Sequence, residues 1–367
     1  MLKTKKLLMI GPFPEPISGV SLANQILLDG IKKSQSNVQV DHINTSLTEF
    51  SDNTGNLSLN KVFFYLKFNF KLYKIFKSTT IYITVGQSFF GVVKYSGFII
   101  LSKLLKKELI IHLHGGGMSY VYNNLKGIKK RILKKLLSLA DKGIVLSNNL
   151  KSNFLHFINS KKIHILFNFV EPLFILDKKE IESKLQKNEI NIFFLSNLME
   201  EKGIFQLIEA LKILEHKKLN FKAKLAGNID VKNQEKIFHQ IKKLNSTSYI
   251  GVVKNKEKLD LLKWGNIFIL PTFHKTEGQP ISILEAIASG NIVVSTFYPG
   301  ISDIFSNGLK CVYIEKENSN DIASKLQKII SNLDEYKRQA ISNFDMAKHD
   351  FTVDRFVNGF LNILFNK

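Results

Sequence analysis

Arginine is scarce: of the 52 basic residues in this 367-residue chain, only Arg131, Arg338 and Arg355 carry a guanidinium. Bidentate reading of base edges depends on that side chain first, so the sequence argues against a nucleic-acid partner. Cysteine is scarcer still. The single Cys311 can form neither an internal disulfide nor a cysteine zinc cluster, which fits a reducing compartment. Long apolar runs are also missing. Lys94, Lys103 and Lys106 break the best candidates, and no stretch reaches the roughly 18–20 apolar residues of a bilayer span. The opening run Leu7–Ile10 stops at Gly11-Pro12, too short for the core of a secretory signal. These absences together predict a cytoplasmic protein.

What is present is an ordinary globular composition, 44% hydrophobic and 23% charged, in a chain long enough for two domains. The formal net charge of +21 is the unusual quantity. It suggests an anionic partner, either an anionic membrane surface or a nucleic acid; an AT-rich genome, which enriches lysine, would produce the same excess. Short apolar runs bounded by turns recur along both halves: Lys6–Ile10, Ile81–Val85, Leu109–Leu113, Gly143–Leu146 and Ile163–Leu166, then Ile190–Leu195, Phe221–Ala226, Ser248–Gly251, Ile267–Leu270 and Ile292–Ser295. Helical patterns separate them. The first strand of each half leads through a small-residue loop into a helix. Alternating strands and helices predict an α/β chain of two doubly wound, Rossmann-like domains. The expected division is 1–172 and 173–350, with a helix at about 351–367 packing back on the first domain. The polar segment Asp177–Glu189 reads as a linker or hinge-proximal helix. Ligands of open α/β sheets bind beyond the carboxyl ends of strands, so the expected site is a cleft between the domains.

The densest chemistry lies in Leu270–Gly290. A strand ends at Pro271, a loop carries Glu277 and Gly278, and a helix begins near Ile281 and closes at Gly290. Free amides at that helix start, with its positive dipole end, would receive a phosphate or diphosphate. Glu285, one turn inside the helix, could accept hydrogen bonds from vicinal hydroxyls such as those of a ribose.

Glu277 and Glu285 carry the spacing of the Glu-x7-Glu motif, and the chain here resembles retaining GT-B glycosyltransferases of the family 4, or glycosyl transferases group 1, type. The following Ala286-Ile287-Ala288-Ser289-Gly290 and Pro299-Gly300-Ile301-Ser302-Asp303-Ile304 extend the likeness. Ser196–Gly203 resembles the loop in which family members set an arginine and a lysine on the donor's diphosphate: Lys202 matches, and Asn197 replaces the arginine. Pro280 stands where many members have glycine, so the amides of Ile281 and Ser282 would have to serve. The resemblance implies donor binding by Gly19, Asn197, Lys202, Gly278, Gln279, Ile281, Ser282 and Glu285, and catalytic roles for Glu277 and His114. His114 ends the run Ile110–Gly117, with His112 expected as the structural histidine two residues before it. Ser147 and the loop Asn168-Phe169-Val170-Glu171 are expected to shape the hinge.

The activity implied is a retaining transfer of a hexose or N-acetylhexosamine from a nucleoside-diphosphate sugar, UDP rather than GDP, to a glycan acceptor. No cofactor or metal is expected, since no Asp-x-Asp stands at a strand end. A polyprenyl-diphosphate-linked acceptor would suit the segment Lys61–Lys77. Read at 100° per residue, that segment places Lys67, Lys71, Lys74 and Lys77 on one face and Tyr65, Phe68, Leu72 and Phe76 on the other, a basic amphipathic helix for the inner face of the cell membrane. The competing readings are a non-enzymatic basic protein binding nucleic acid or membrane, and an inverting GT-B transferase.

Overall fold

The computed structural model describes residues 4–46, 68, 70–306 and 308–366. They divide into two compact α/β units, one running to Asn168 and resumed from Val353, the other Phe169–Thr352. The division falls at Asn168/Phe169 because the Val170 amide donates to the Phe351 carbonyl at 2.7 Å, which ties both ends of the second unit together.

The first unit is built on a parallel sheet of order β2-β1-β3-β4-β5-β6. Its strands are β1 (Lys5–Gly11), β2 (Val38–Asn44), β3 (Thr80–Thr84), β4 (Glu108–Leu113), β5 (Lys142–Val145) and β6 (Ile163–Ile165). Strands β3 and β5 are buried at every position, as a sheet covered on both faces requires. The helix Val353–Phe365 belongs to this unit and packs on the helix Gly19–Lys33. The approach is close: a Cβ on Gly30 would stand 2.3 Å from Val357. The edge of one ring of the Tyr82–Phe360 pair meets the face of the other, with centroids 5.1 Å apart.

The second unit carries a parallel sheet of order β12-β11-β10-β7-β8-β9. Its strands are β7 (Asn191–Leu195), β8 (Lys222–Ala226), β9 (Thr247–Gly251), β10 (Ile267–Leu270), β11 (Ile292–Thr296) and β12 (Val312–Ile314). Counted from β7, the order is 3-2-1-4-5-6, the dinucleotide-fold order. The winding therefore reverses between β7 and β10, and the loops leaving these neighbours start side by side at the sheet's carboxyl end.

Of the two readings of Asp177–Glu189, the structure takes the helix: Asp177 caps Lys178–Gln186 through a capping box with Glu180, and Ile181 and Leu185 at i,i+4 bury beside Leu176 and Phe344. The described part of the basic segment, Phe70–Lys77, is a 3₁₀ helix rather than an α-helix, so its side chains sort by threes. Phe76, expected on one face with Phe68 and Leu72, is 61% exposed where Phe68 is 3% exposed; Tyr65 and Lys67 lie outside the described residues.

Lys184 anchors the capped helix. Its ammonium donates to the Ser289 carbonyl at 2.6 Å, the Leu262 carbonyl at 3.2 Å and Asn291 Oδ1 at 3.0 Å, taking carbonyls at the carboxyl ends of two further helices. Lys184→Met should strand those acceptors and cost about 1–3 kcal/mol, read as a lower denaturant midpoint. An unchanged midpoint would mean that water replaces the ammonium without loss.

Candidate functional site

The winding reversal of the second sheet brings Lys202 and Glu277 together. After β7 the chain runs through Asn197 into a short 3₁₀ turn, Glu200–Lys202, and then to Gly203, which begins the helix Ile204–His216. Gly203 takes φ +76°, and a Cβ there would sit 2.1 Å from the Pro271 carbonyl oxygen. Only glycine permits this approach. It brings Glu200–Lys202 against the loop after β10, where the Phe273 amide donates to the Glu201 carbonyl at 2.8 Å and Thr272 Oγ1 lies 3.3 Å from the same oxygen. The Thr296 hydroxyl, at the end of β11, holds the Thr272 carbonyl at 2.5 Å.

Across this seam Lys202 Nζ donates to Glu277 Oε2 at 2.6 Å, and Thr272 Oγ1 donates to the same oxygen at 2.8 Å. Glu277 is 9% exposed. Burial works to raise its carboxyl pKa, but Lys202 and Thr272 outweigh it and hold the group below its ordinary value. His274, in the same loop, bonds Thr276 Oγ1 through Nδ1 at 3.1 Å; burial and the Lys202 charge lower its pKa, so the ring stays neutral at neutral pH. Burial and the Glu277 charge raise the Tyr298 phenol, so Tyr298 follows β11 into the field of the same carboxylate.

The loop continues through buried Gly278 and Gln279 to Pro280, the N-cap of the helix Ile281–Ala288, with Ile281 and Ser282 half-buried at its start. The Ile283 amide already turns back to the Pro280 carbonyl at 3.2 Å, leaving Ile281 and Ser282 as the amides at the helix mouth. Glu285 does not join the Lys202–Glu277 pair. It is 3% exposed and accepts from Lys258 Nζ at 2.6 Å, while that ammonium also lies 3.8 Å from the Phe174 ring centroid. Burial raises the Glu285 pKa despite Lys258, and Glu171 adds to the rise. The two glutamates of the motif are thus shifted in opposite directions. Asn197 is exposed in the β7 loop.

In the first unit, Ser18 caps the helix that Gly19 opens, and its side chain accepts from the Ser21 amide. At the end of β4, His112 and His114 share a face with ring centroids 3.9 Å apart. His112 is wholly buried and its Nδ1 meets the Tyr82 hydroxyl at 2.7 Å. His114 Nε2 is buried with no partner among the described residues, and burial pushes the ring's pKa down to about 3, so it is neutral.

Lys258 and Thr272 were passed over in the sequence. Thr272 had a signal, a hydroxyl at the strand end five residues before Glu277. Lys258 had none, since only the fold brings it to Glu285.

Residues 177–344 match the family model described as glycosyl transferases group 1. The match lies wholly within the second unit and takes in less than half of the chain. Among curated relatives, the chain is 26% identical over 258 residues to the uncharacterized glycosyltransferase MJ1069 of Methanocaldococcus jannaschii, covering 64% of this chain and 62% of that protein. It is 25% identical over 182 residues to the N,N'-diacetylbacillosaminyl-diphospho-undecaprenol alpha-1,3-N-acetylgalactosaminyltransferase of Campylobacter jejuni, covering 50% of this chain and 43% of that one. The chain spans less than two thirds of either relative's length. The crystal structure of Anabaena Alr3699/HepE in complex with UDP-glucose superposes with TM-score 0.73 at 17% identity, covering 98% of this chain and 99% of that one. The chain therefore has the GT-B fold, with two parallel six-stranded sheets among the described residues.

The lowered Glu277 pKa fixes the sign of a pH effect. The ion pair's contribution to stability is complete above pH 4.5, the ordinary value, and is lost as pH falls through the lowered one. Glu277→Gln should therefore flatten the acid limb of the stability curve measured by denaturant titration. An acid limb identical to that of the parent chain would contradict the pairing.

Proposed function

We propose that the chain is a retaining glycosyltransferase that moves a hexose or N-acetylhexosamine from a UDP-sugar to a glycan acceptor carried on a polyprenyl diphosphate, at the cytoplasmic face of a membrane. The observation that carries this reading is the Lys202–Glu277 pair seated beside a helix mouth at the winding reversal of the second unit. Such a position favours a diphosphate: the ammonium and the Ile281 and Ser282 amides supply donors, and the helix dipole adds positive potential. Lys202 has two N–H donors beyond the one given to Glu277. HepE, solved with UDP-glucose, supports the choice of UDP, and the undecaprenol-linked substrate in the Campylobacter relative's name supports the acceptor class.

In the proposed reaction the bond from the anomeric carbon to the β-phosphate oxygen breaks, and charge develops on the leaving UDP. Lys202 and the helix-mouth amides stabilise that charge, so the site needs no metal for it. The acceptor hydroxyl attacks the face that the phosphate leaves, and the departing phosphate oxygen takes its proton. Glu277, held ionised, orients hydroxyls of the donor sugar. Glu285, with Lys258 beside it, accepts from the ribose hydroxyls. Gly278 and Gln279 line the path between them, with Asn197 on the β7 loop. In the first unit, Gly19 is assigned to the backbone approach to the donor, and His114, kept neutral by its burial, to the sugar near its reacting carbon.

UDP at 100 times its dissociation constant should stabilise the chain by about 2.7 kcal/mol in a thermal-shift assay. Lys202→Met and Glu277→Gln should each lower kcat/KM about 10²–10³-fold with the far-ultraviolet circular dichroism unchanged. Product anomers read by NMR should keep the donor's configuration. Near-parental rates in both variants, or an inverted product, would reject the assignment.

A further inference from the structure

The first unit carries a surface that none of the donor chemistry uses. In the 3₁₀ helix Phe70–Lys77, residues three apart eclipse, so the sequence sorts into three rows. Leu72 and Ile75 face inward against the core. Phe70, Tyr73 and Phe76 form a second row, exposed by 81%, 57% and 61%. Lys71, Lys74 and Lys77 form the third, of which Lys74 is paired to Asp41 at 2.8 Å. The α-helical reading of the sequence had mixed these rows.

The helix Ser96–Leu104 packs against this element and ends in Leu104, an aliphatic side chain 73% exposed. The chain beyond it continues the basic theme. Lys103, Lys106, Lys107, Lys142, Lys161 and Lys162 line one open basin of about 630 Å³, against the two carboxylates of Glu108 and Asp141. Asp141 is taken by Lys103 at 2.7 Å and Glu108 by Lys142 at 2.8 Å. Lys106, Lys107, Lys161 and Lys162 have no carboxylate partner among the described residues. The basin and the aromatic row are joined, because Lys107 Nζ reaches the Phe76 carbonyl at 3.5 Å.

We infer that this surface seats on an anionic bilayer, with Phe70, Tyr73, Phe76 and Leu104 entering the interface and the lysine basin taking headgroup phosphates. Two features choose a lipid surface over a nucleic acid. Leu104 offers no ring for a base to stack on, yet it partitions favourably into acyl chains. The cations are all lysine, suited to diffuse attraction by anionic headgroups rather than to bidentate reading of bases. The inference gives residues to the membrane side of the proposed function and uses none of its donor site, so the two fail separately.

The test is flotation of the full chain with vesicles of phosphatidylcholine, and of phosphatidylcholine mixed with phosphatidylglycerol. The parent chain should float with the mixed vesicles and remain behind with the neutral ones. Lys106→Gln, Lys107→Gln, Lys161→Gln and Lys162→Gln combined should weaken partitioning about six-hundredfold at low salt, each lysine being worth a factor of about five. Phe70→Ser, Tyr73→Ser and Phe76→Ser combined should abolish the fraction that stays bound at high salt. In a separate variant, Phe76→Trp, the added emission should shift to the blue on mixed vesicles only. Both combined variants should keep the parent's thermal shift with UDP. Equal flotation of all variants, no preference for phosphatidylglycerol, an unmoved Trp emission, or binding to duplex DNA in place of vesicles would overturn the inference.

Discussion

A buried ion pair sutures the two loops on which the proposed donor site depends. Lys202 leaves β7 and Glu277 leaves β10, and their 2.6 Å contact closes the seam at the point where the sheet reverses its winding. Removing either partner would leave a charge stranded in a largely dry place, a loss of about 3–5 kcal/mol in comparable buried pairs. The pair is possible because of backbone geometry: Gly203 lacks a Cβ, so the β7 loop lies against the Pro271 carbonyl and its lysine reaches the opposite loop. The same seam leaves the amides of Ile281 and Ser282 at the helix mouth, next to the only strong cation the pair contains. Gly227 plays a related part on the other flank. It adopts φ +142° with its would-be Cβ 1.8 Å from the Ser196 carbonyl, so the loops after β7 and β8 also close on each other.

The opposite shifts of the two motif glutamates give them different chemistry. Glu277 is held ionised by a cation and a hydroxyl, which suits an acceptor of sugar hydroxyls. Glu285 is buried on the helix with Lys258 as its counter-charge, and its carboxyl rises because burial outweighs that one partner. Hydroxyl donors arriving from a ligand would satisfy the second oxygen of Glu285 and draw its pKa back down.

Much of this architecture was legible in the sequence for one reason. A parallel sheet covered on both faces writes its strands as short, continuous apolar runs, and Ile190–Leu195 and Ile267–Leu270 fall almost wholly on β7 and β10. Of the four edge strands, β2 and β12 escaped notice. β12 has only three residues, and β2 mixes exposed and buried positions over a polar run, Val-Gln-Val-Asp-His-Ile-Asn. The segment 177–189 left linker and helix both open because its surface is mostly Lys and Glu; two buried aliphatics and a capping box decide for the helix. In Phe70–Lys77 the composition was right and the period wrong: a helix of three residues per turn sets Phe76 in a row with Phe70 and Tyr73, where one of 3.6 would set it with Leu72. In the site, the spacing of Glu277 and Glu285 was visible, but their partners were not. Lys202 and Glu277 lie 75 positions apart, and Lys258 lies 27 positions from Glu285. Only the strand order turns those separations into contacts.

The most direct test of the donor site is a crystal structure of the chain soaked with UDP. The account predicts both phosphates at the mouth of the helix Ile281–Ala288, with β-phosphate oxygens in hydrogen-bond reach of Lys202 Nζ and of the Ile281 or Ser282 amide, and the ribose beside Glu285. Clear density for UDP elsewhere on the chain, with Lys202 and Glu277 still closed on each other and untouched, would contradict it.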